Sequence, residues 1–429
     1  MILDYQKKLV TFSQKFVKNK NYLLSDISYF ATYEDSLGIQ YLKSKIEKKY
    51  IIDILKKYLK QFIGIANSEL DFKFNPIRKF NINDIVVSWA FKNNFDNKGN
   101  YYDKYLNVKS SKYKKKIWIL IYMDKVLPSK IQNNIFLIFR KKNTFKYSLP
   151  FFTAYLIQIF VNHFFKRDFL LKLNNSSAFS NELIKILKKN IKIKNLKKVF
   201  LVYEGQLFQR ELIKFFKYHN SKVRVIGYDQ SAPPALPLNL IYDNYSPDIL
   251  LTSGSSQKSF YNKYLLWPMS KLKIINSMRF KNDKRNFYSE KIFVPFELGN
   301  TKVYLNSFKK LIKKENINLS KLEIKNHPRN LNNKKNTNFT NNIKELLKKK
   351  YLYKKKQIFT SVFFGQTTAM INALELGIVC YHICSDPKID SYCSKLWSNI
   401  QVTKIDEFLF KYKIKKKKSF INLGKKQYL

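Results

Sequence analysis

The stretch that decides the fold is KVFLVYEGQLFQRELIKFFKYHNSKVRVIGYDQ, Lys198–Gln230. Its first six residues, Lys198–Tyr203, are a nearly unbroken apolar run, the signature of a strand buried on both faces. Gly205–Tyr218 then carries a helical period, and Lys222–Gly227 reads as a second strand. Strand, helix and strand in about thirty residues make a crossover unit, which demands a parallel sheet.

The same alternation continues on the C-terminal side. Asp248–Thr252 and Lys273–Ile275 read as strands, with a helix over Ser255–Leu266 between them. After a Lys/Asn/Asp-rich gap at Lys281–Asn286 it restarts. Strands are expected at Lys291–Pro295, Lys321–Lys325, Gln357–Ser361 and Ile378–His382, and helices at Tyr304–Lys314, Asn341–Lys349, Thr367–Leu376 and Ile405–Tyr412. Upstream lie three β-rich runs, Asp84–Phe91, Lys116–Met123 and Asn134–Arg140. The polar, Asn/Gly-rich segment Lys92–Ser111 reads as a loop or lid. Leu149–Leu173 and Asn181–Lys189 have helical patterns. The first eighty residues read mostly helical, as at Tyr50–Ile63. The expected fold is therefore α/β, with two Rossmann-like domains facing a cleft and a helical N-terminal extension. Its parts are a helical extension (1–80), an N-terminal Rossmann-like domain (81–285), a C-terminal Rossmann-like domain (286–412) and a basic tail (413–429). The hinge falls near Arg279–Glu290.

Composition narrows the class. The chain has 429 residues with 45% hydrophobic and 16% aromatic content, which excludes wholesale disorder. Ten glycines and eleven prolines exclude collagen-like and low-complexity architectures. The three cysteines Cys380, Cys384 and Cys393 do not form a disulfide scaffold or a zinc motif, and they fit a reducing compartment. The formal charge of +51 comes from 73 lysines and only eight arginines against 30 acids. Nucleic-acid readers lean on the arginine fork, so specific nucleic-acid recognition is not expected; attraction to anionic lipid is. Met1–Lys20 has no apolar core of a signal peptide. Leu149–Phe165 is shorter than the roughly 20 residues that span a bilayer. It reads as a buried helix with one wet edge or as an interfacial helix. A cytoplasmic protein, peripheral on the inner face of the plasma membrane, is the expectation.

Ligands of doubly wound sheets bind at the carboxyl ends of strands. Glu204-Gly205 follows the first strand quoted. A carboxylate there stands at a cleft mouth or caps the next helix. Tyr228, Asp229 and Gln230, ahead of Pro233-Pro234, line an acceptor site or form an ordinary turn. Lys325, His327 and Arg329 in KNHPR end a strand as a cationic cluster suited to phosphate. Gln366, Thr367 and Thr368 open a helix, where hydroxyls and free amides hold an anion or simply cap. Glu375 sits near a helix end, poor for the dipole, and a ribose contact would explain it. No Asp-x-Asp pair exists for a metal diphosphate, and no Walker loop, GxGxxG or HExxH occurs.

Together these segments resemble bacterial glycosyltransferases of the GT-B architecture, in particular the surface-carbohydrate biosynthesis group. They are VYEGQ at 202–206, GYDQSAPP at 227–234, PDILLTSG at 247–254, KNHPR at 325–329 and SVFFGQTTAMINALELG at 361–377, with Val86–Asn107 upstream. In the enzymes of this architecture that use CMP-activated acidic sugars, such as sialyltransferases and Kdo transferases, a His-Pro motif contacts the donor phosphate. A hydroxyl pair assists it, and an acidic-acidic-Gly motif supplies the base. His327-Pro328 matches the first and Gln366-Thr367-Thr368 approximates the second. Tyr203-Glu204-Gly205 keeps the second acid and the glycine. Asp229-Gln230 stands where the surface-carbohydrate group more often has Gln-His.

The resemblance implies an inverting, metal-independent transferase without a cofactor, with a nucleotide-sugar donor and a lipid-linked or glycan acceptor. Glu204 would be the base. Lys325, His327, Thr367 and Thr368 would hold the phosphate, Glu375 the ribose, and Arg279 would contact the donor or assist closure. The rivals are a non-catalytic polyanion- or glycan-binding protein of the same fold, and a polyol-phosphate transferase.

Overall fold

A computed structural model of the chain describes residues 2–18, 69–74, 82–141, 153, 156–157, 175–191, 193–280, 285–295, 298–315, 322–327, 334–348, 360–365, 367–415 and 419–423. The expected helix at Tyr50–Ile63 and nearly all of Leu149–Leu173 lie outside the described residues. No helix among the described residues is long and apolar enough to cross a membrane.

Two sheets organise the chain. The first is built from β1 (Leu70–Lys73), β2 (Asp84–Ala90), β5 (Lys116–Tyr122), β6 (Ile135–Arg140), β7 (Lys198–Val202), β8 (Arg224–Tyr228), β9 (Ile249–Thr252) and β10 (Leu272–Ile274). Their order is β1-β6-β5-β2-β7-β8-β9-β10. All neighbours pair parallel except the edge strand β1, which runs antiparallel to β6. From β2 outward this is the doubly wound Rossmann order, and the winding reverses between β2 and β7. Buried strands explain the apolar runs: Ile117, Trp118, Ile119 and Leu120 in β5 and Val199 and Leu201 in β7 have little or no solvent contact. The crossover α2 (Asn175–Asn190) joins β6 to β7, α3 (Leu207–His219) joins β7 to β8, and α4 (Ser255–Tyr264) joins β9 to β10.

The second sheet has the order β12-β11-β13-β14-β16-β15. It comprises β11 (Lys291–Val294), β12 (Glu323–Asn326), β13 (Thr360–Phe364), β14 (Val379–Ile383), β15 (Ile400–Asp406) and β16 (Leu409–Ile414). The first four run parallel, with the reversal between β11 and β13. Around them lie α5 (Arg285–Tyr288), α6 (Thr301–Glu315), α7 (Lys334–Lys348), α8 (Thr368–Glu375) and α9 (Pro387–Asp390). The fold is thus α/β with two Rossmann-like units.

Four expectations change. Ile405–Tyr412 is not a helix: β15 and β16 form an antiparallel hairpin that closes the sheet against β14. The alternation Phe410-Lys411-Tyr412-Lys413 has period two, and Phe410 and Tyr412 face the core. The strand expected at Gln357–Ser361 is displaced toward the C-terminus, so Thr360 and Ser361 begin β13 instead of ending it. Lys92–Ser111 is not an open loop. It carries the small hairpin β3 (Tyr102–Asp103) and β4 (Val108–Lys109), with Tyr101 and Leu106 fully buried. The segment read as a basic tail is built into the fold where it is described. Residues 413–414 continue β16, and Phe420 and Ile421 are buried.

The two units share an apolar junction at the carboxyl edges of their sheets. Beyond β8, the carbonyls of Pro233 and Ala235 accept hydrogen bonds from Tyr392 Oη (2.5 Å) and Trp397 Nε1 (2.9 Å), which lie beyond β14. Trp397 stacks on Phe260 of α4 at 4.3 Å between ring centroids. The amphipathic helix α1 (Ile2–Lys18) spans the junction. Its Gln6 Nε2 donates to Ser391 O (2.7 Å) and its Gln14 Nε2 to Tyr264 O (2.9 Å). The C-terminal segment returns to the first sheet: Asn422 N donates to Ser253 O (2.5 Å) and Ser277 N to Asn422 O (2.7 Å).

Gly254 permits that return. A Cβ there would fall 1.7 Å from Phe420 O and 2.4 Å from its carbonyl carbon. Gly254→Ala must therefore push the returning segment off its seat. We expect a loss of about 1–3 kcal/mol, as for overpacking elsewhere, read as a lower midpoint in urea unfolding. An unchanged midpoint would show that residues 419–423 do not pack there in solution.

Candidate functional site at the first switch point

Glu204 stands at the carboxyl end of β7, beside the reversal between β2 and β7 where doubly wound sheets open a crevice. The turn that carries it is held from three directions. The buried Gln209, three residues into the helix from Gln206, accepts from Glu204 N (2.8 Å) and Gln206 N (3.2 Å) and donates to Val202 O (2.6 Å). Gly205 adopts φ +67°, which favours glycine. A Cβ there would lie 2.1 Å from Asn239 O. Asn239 Nδ2 in turn donates to Glu204 O (2.5 Å). The residues beyond Asn239 are locked by Arg210, which is fully buried with Asp243 at 2.5 Å and donates to Asn239 O (3.0 Å) and Ile241 O (2.8 Å).

The Glu204 carboxylate is half-buried and accepts from Gln206 Nε2 (2.9 Å) and Gln230 Nε2 (2.5 Å). Gln230 spends its other amide atom on Arg279, whose Nη1 donates to Gln230 Oε1. Burial pushes the Glu204 carboxyl up from its ordinary value. The Gln230 hydrogen bond, the Arg279 charge and the Gln206 hydrogen bond pull it back. The Arg279 guanidinium also lies over the rings of Phe280 (5.1 Å) and Tyr105 (5.2 Å), so the folded 92–111 segment forms a wall of the same site. A poised carboxylate beside a held cation can take a proton from a bound hydroxyl while the cation faces an anionic group.

The other residues singled out in the sequence divide by location. Tyr228 and Asp229 belong to the interior and do not line an acceptor surface. Tyr228 Oη accepts from Met278 N (2.9 Å), fixing the segment that presents Arg279. Asp229 accepts from Gln257 Nε2 (3.1 Å), Ser231 Oγ (3.2 Å) and Tyr261 Oη, and burial pushes its carboxyl up to about 7. Gln230 alone of the three reaches Glu204.

At the second sheet, His327 is exposed just past β12, with its N–H on Val294 O (3.1 Å). Lys325 Nζ pairs with Glu323 at 3.0 Å. Thr367 caps α8, accepting from Ala369 N at 3.3 Å, so the capping reading of that hydroxyl holds. Thr368 is half-buried at the helix start. With β11 between β12 and β13, the two strand ends are two strand spacings apart, about 10 Å. Arg329 and Gln366 lie outside the described residues. Glu375 supplies its own reason for an acid at a helix end. Its carboxylate accepts from Phe420 N and from Ile421 N (3.0 Å), pinning the returning C-terminal segment. A ribose would have to share that carboxylate with two backbone amides.

Several residues escaped the sequence reading. Asn239, Asp243 and Tyr105 are distant in sequence and have no local signal. Gln209 had one, the Q-x-x-Q spacing at a helix start. His382 is a further case. Buried and held neutral, with burial pulling its imidazole down to about 4, it donates from Nε2 to Gly365 O (2.8 Å). Gly365, at φ +59°, is the pivot of the turn from β13 into α8.

No family model matches the chain, and no curated protein does. Solved structures similar to it include the following three. A putative UDP-N-acetylglucosamine 2-epimerase from Listeria monocytogenes is 8% identical at TM-score 0.36, covering 70% of this chain and 78% of that one. An alpha,alpha-trehalose 6-phosphate synthase from Burkholderia multivorans is 7% identical at TM-score 0.34, covering 66% and 76%. A glycosyltransferase from Rickettsia africae ESF-5 is 11% identical at TM-score 0.30, covering 70% and 79%.

Burial pushes Glu375 up to about 7, against roughly 4.3 for an unfolded glutamate. Between those values the folded state holds more protons than the unfolded one, so this group's contribution falls as pH rises through 4 to 7. Glu375→Gln removes that slope. Across pH 5 to 8 the wild type should therefore lose stability relative to the variant, measured by urea unfolding at each pH. A constant difference would mean that Glu375 is ionised in the fold throughout.

Proposed function

We propose that the protein is a glycosyltransferase that moves a sugar from a nucleotide-activated donor to a hydroxyl acceptor during bacterial surface-polysaccharide synthesis. The observation that carries this reading is the preorganised Glu204 carboxylate at the switch point, tethered by Gln206 and Gln230 and flanked by Arg279. The order of motifs along the chain supports the same class.

In this reading the acceptor hydroxyl docks against Glu204 and gives up its proton to the carboxylate as the oxygen attacks the anomeric carbon. The bond from that carbon to the nucleotide phosphate breaks on the opposite face, inverting the centre. The proton ends on Glu204 and the electron pair leaves with the phosphate. Burial raises the Glu204 carboxyl and makes it a stronger base than a free glutamate, while the Arg279 charge pulls in the opposite direction. Lys325, His327 and the start of α8 would receive the phosphate charge. The neutral His382 would hold the Gly365 turn that aims those amides. The resemblance of His327-Pro328 to a donor-phosphate motif supports a CMP-type donor.

Two measurements test the reading. Glu204→Gln keeps the size and one of the two acceptor oxygens but cannot take a proton. Turnover should fall about 10²–10⁴-fold with donor affinity unchanged. Turnover near wild type would remove Glu204 from the chemistry. His327→Ala, at an exposed position, should weaken CMP binding in calorimetric titration without moving the melting temperature. Unaltered CMP affinity would place the donor elsewhere.

A further inference from the structure

We propose that the loop between β5 and β6 is a membrane-contact surface, which seats the protein on an anionic bilayer with the carboxyl edge of its first sheet beside the lipid. Scattered apolar side chains on a surface are ordinary. Here three fall within five residues of one loop. Met123 is 49% exposed, Val126 56% and Leu127 37%.

The loop is braced. Met123 N donates to Ala90 O (3.0 Å), Lys92 N to Asp124 Oδ2 (2.7 Å), and Tyr122 Oη to Val126 O. Lys73 Nζ binds the carbonyls of Pro128 (3.3 Å) and Ser129 (3.0 Å) behind it. Its apolar tip is therefore presented already formed.

Charge selects the occupant. Lys92, Lys98, Lys125 and Lys130 are exposed around the tip. The nearby carboxylates are engaged with backbone amides: Asp124 with Lys92 N, and Asp96 with Lys98 N and Asn100 N (both 2.9 Å). An apolar tip ringed by lysines, on a chain of net charge +51, matches a surface with an acidic headgroup layer over an apolar interior. The tip projects from the ends of β2 and β5, the same sheet edge at which Glu204 opens, so a site there would meet substrates held at the bilayer. The inference does not depend on the chemistry proposed for that site.

The full-length protein carrying Cys393→Ser tests it. Cys380 and Cys384 are buried, so a cysteine at Val126→Cys can be labelled with an environment-sensitive fluorophore. Tyr218→Cys, at a position 86% exposed near the end of α3, is the control. Phosphatidylcholine vesicles containing phosphatidylglycerol should blue-shift the probe at position 126 and not at 218, and phosphatidylcholine alone should shift neither. The combined variant Met123→Ser, Val126→Ser, Leu127→Ser should lower vesicle affinity roughly tenfold or more at physiological salt, with unchanged thermal unfolding. An unshifted probe at 126, or unaltered affinity of the serine variant, overturns the proposal. A shift that appears without vesicles and grows with protein concentration also overturns it, since the loop then meets a second copy of the chain.

Discussion

The buried pair between Arg210 and Asp243 is the interaction on which most of the arrangement rests. Both side chains are shut away from water, and a charge buried in this way is costly unless its remaining hydrogen-bonding capacity is used. Arg210 uses it on the carbonyls of Asn239 and Ile241, so the long connection after β8 is bound to the first turn of α3. Breaking one partner would leave the other charge stranded, a loss of roughly 3–5 kcal/mol. That cost makes the connection a rigid part of the scaffold. The same pull brings Asn239 so close to Gly205 that no side chain fits between them. The orientation of Glu204 is thereby set by an ion pair it never touches.

The connection also reaches the other unit. Residues just upstream of the clamp offer the Pro233 and Ala235 carbonyls to Tyr392 and Trp397, and Trp397 stacks on Phe260. Buried carbonyls without partners would be expensive, so these two hydrogen bonds specify which surfaces meet as well as adding to their affinity. The helix α1 and the segment at 419–423 cross the same junction from the two ends of the chain. A large apolar contact sealed by such crossings resists the free relative motion expected of small polar domain interfaces.

Acids are scarce in a chain so rich in lysine, and the placement of a few of them is telling. Asp229, buried, and Glu375, half-buried, are satisfied by neutral donors and raised toward neutrality. Glu204 differs in having a guanidinium within one amide of its carboxylate. Its environment supplies both a pull toward the proton and a counter-charge, a combination found at reactive carboxylates more often than at structural ones.

What the sequence determined by itself was periodic and local. A continuous apolar run marked β7 as a buried strand, its alternation with helices through β8 and β9 marked a parallel sheet, and an acid followed by glycine at the end of β7 marked a crevice mouth or a helix start. Those signals survive because a strand buried on both faces cannot be polar, and because the residue after it must sit at the sheet edge. What the tertiary structure alone decided was the company each side chain keeps. Asp229 and Gln230 are adjacent in sequence, yet one is enclosed by α4 and the other meets Glu204, since successive residues leaving a strand point to opposite sides. Glu375 acquired its partners from a segment some 45 residues downstream. Gly205 owes its necessity to Asn239. The hairpin β15–β16 competed with a helical reading because a short apolar–lysine alternation is ambiguous until β14 offers an edge to pair with. Chain-distant contacts leave no trace in local pattern, since their energy comes from surfaces that meet only once the sheets have formed.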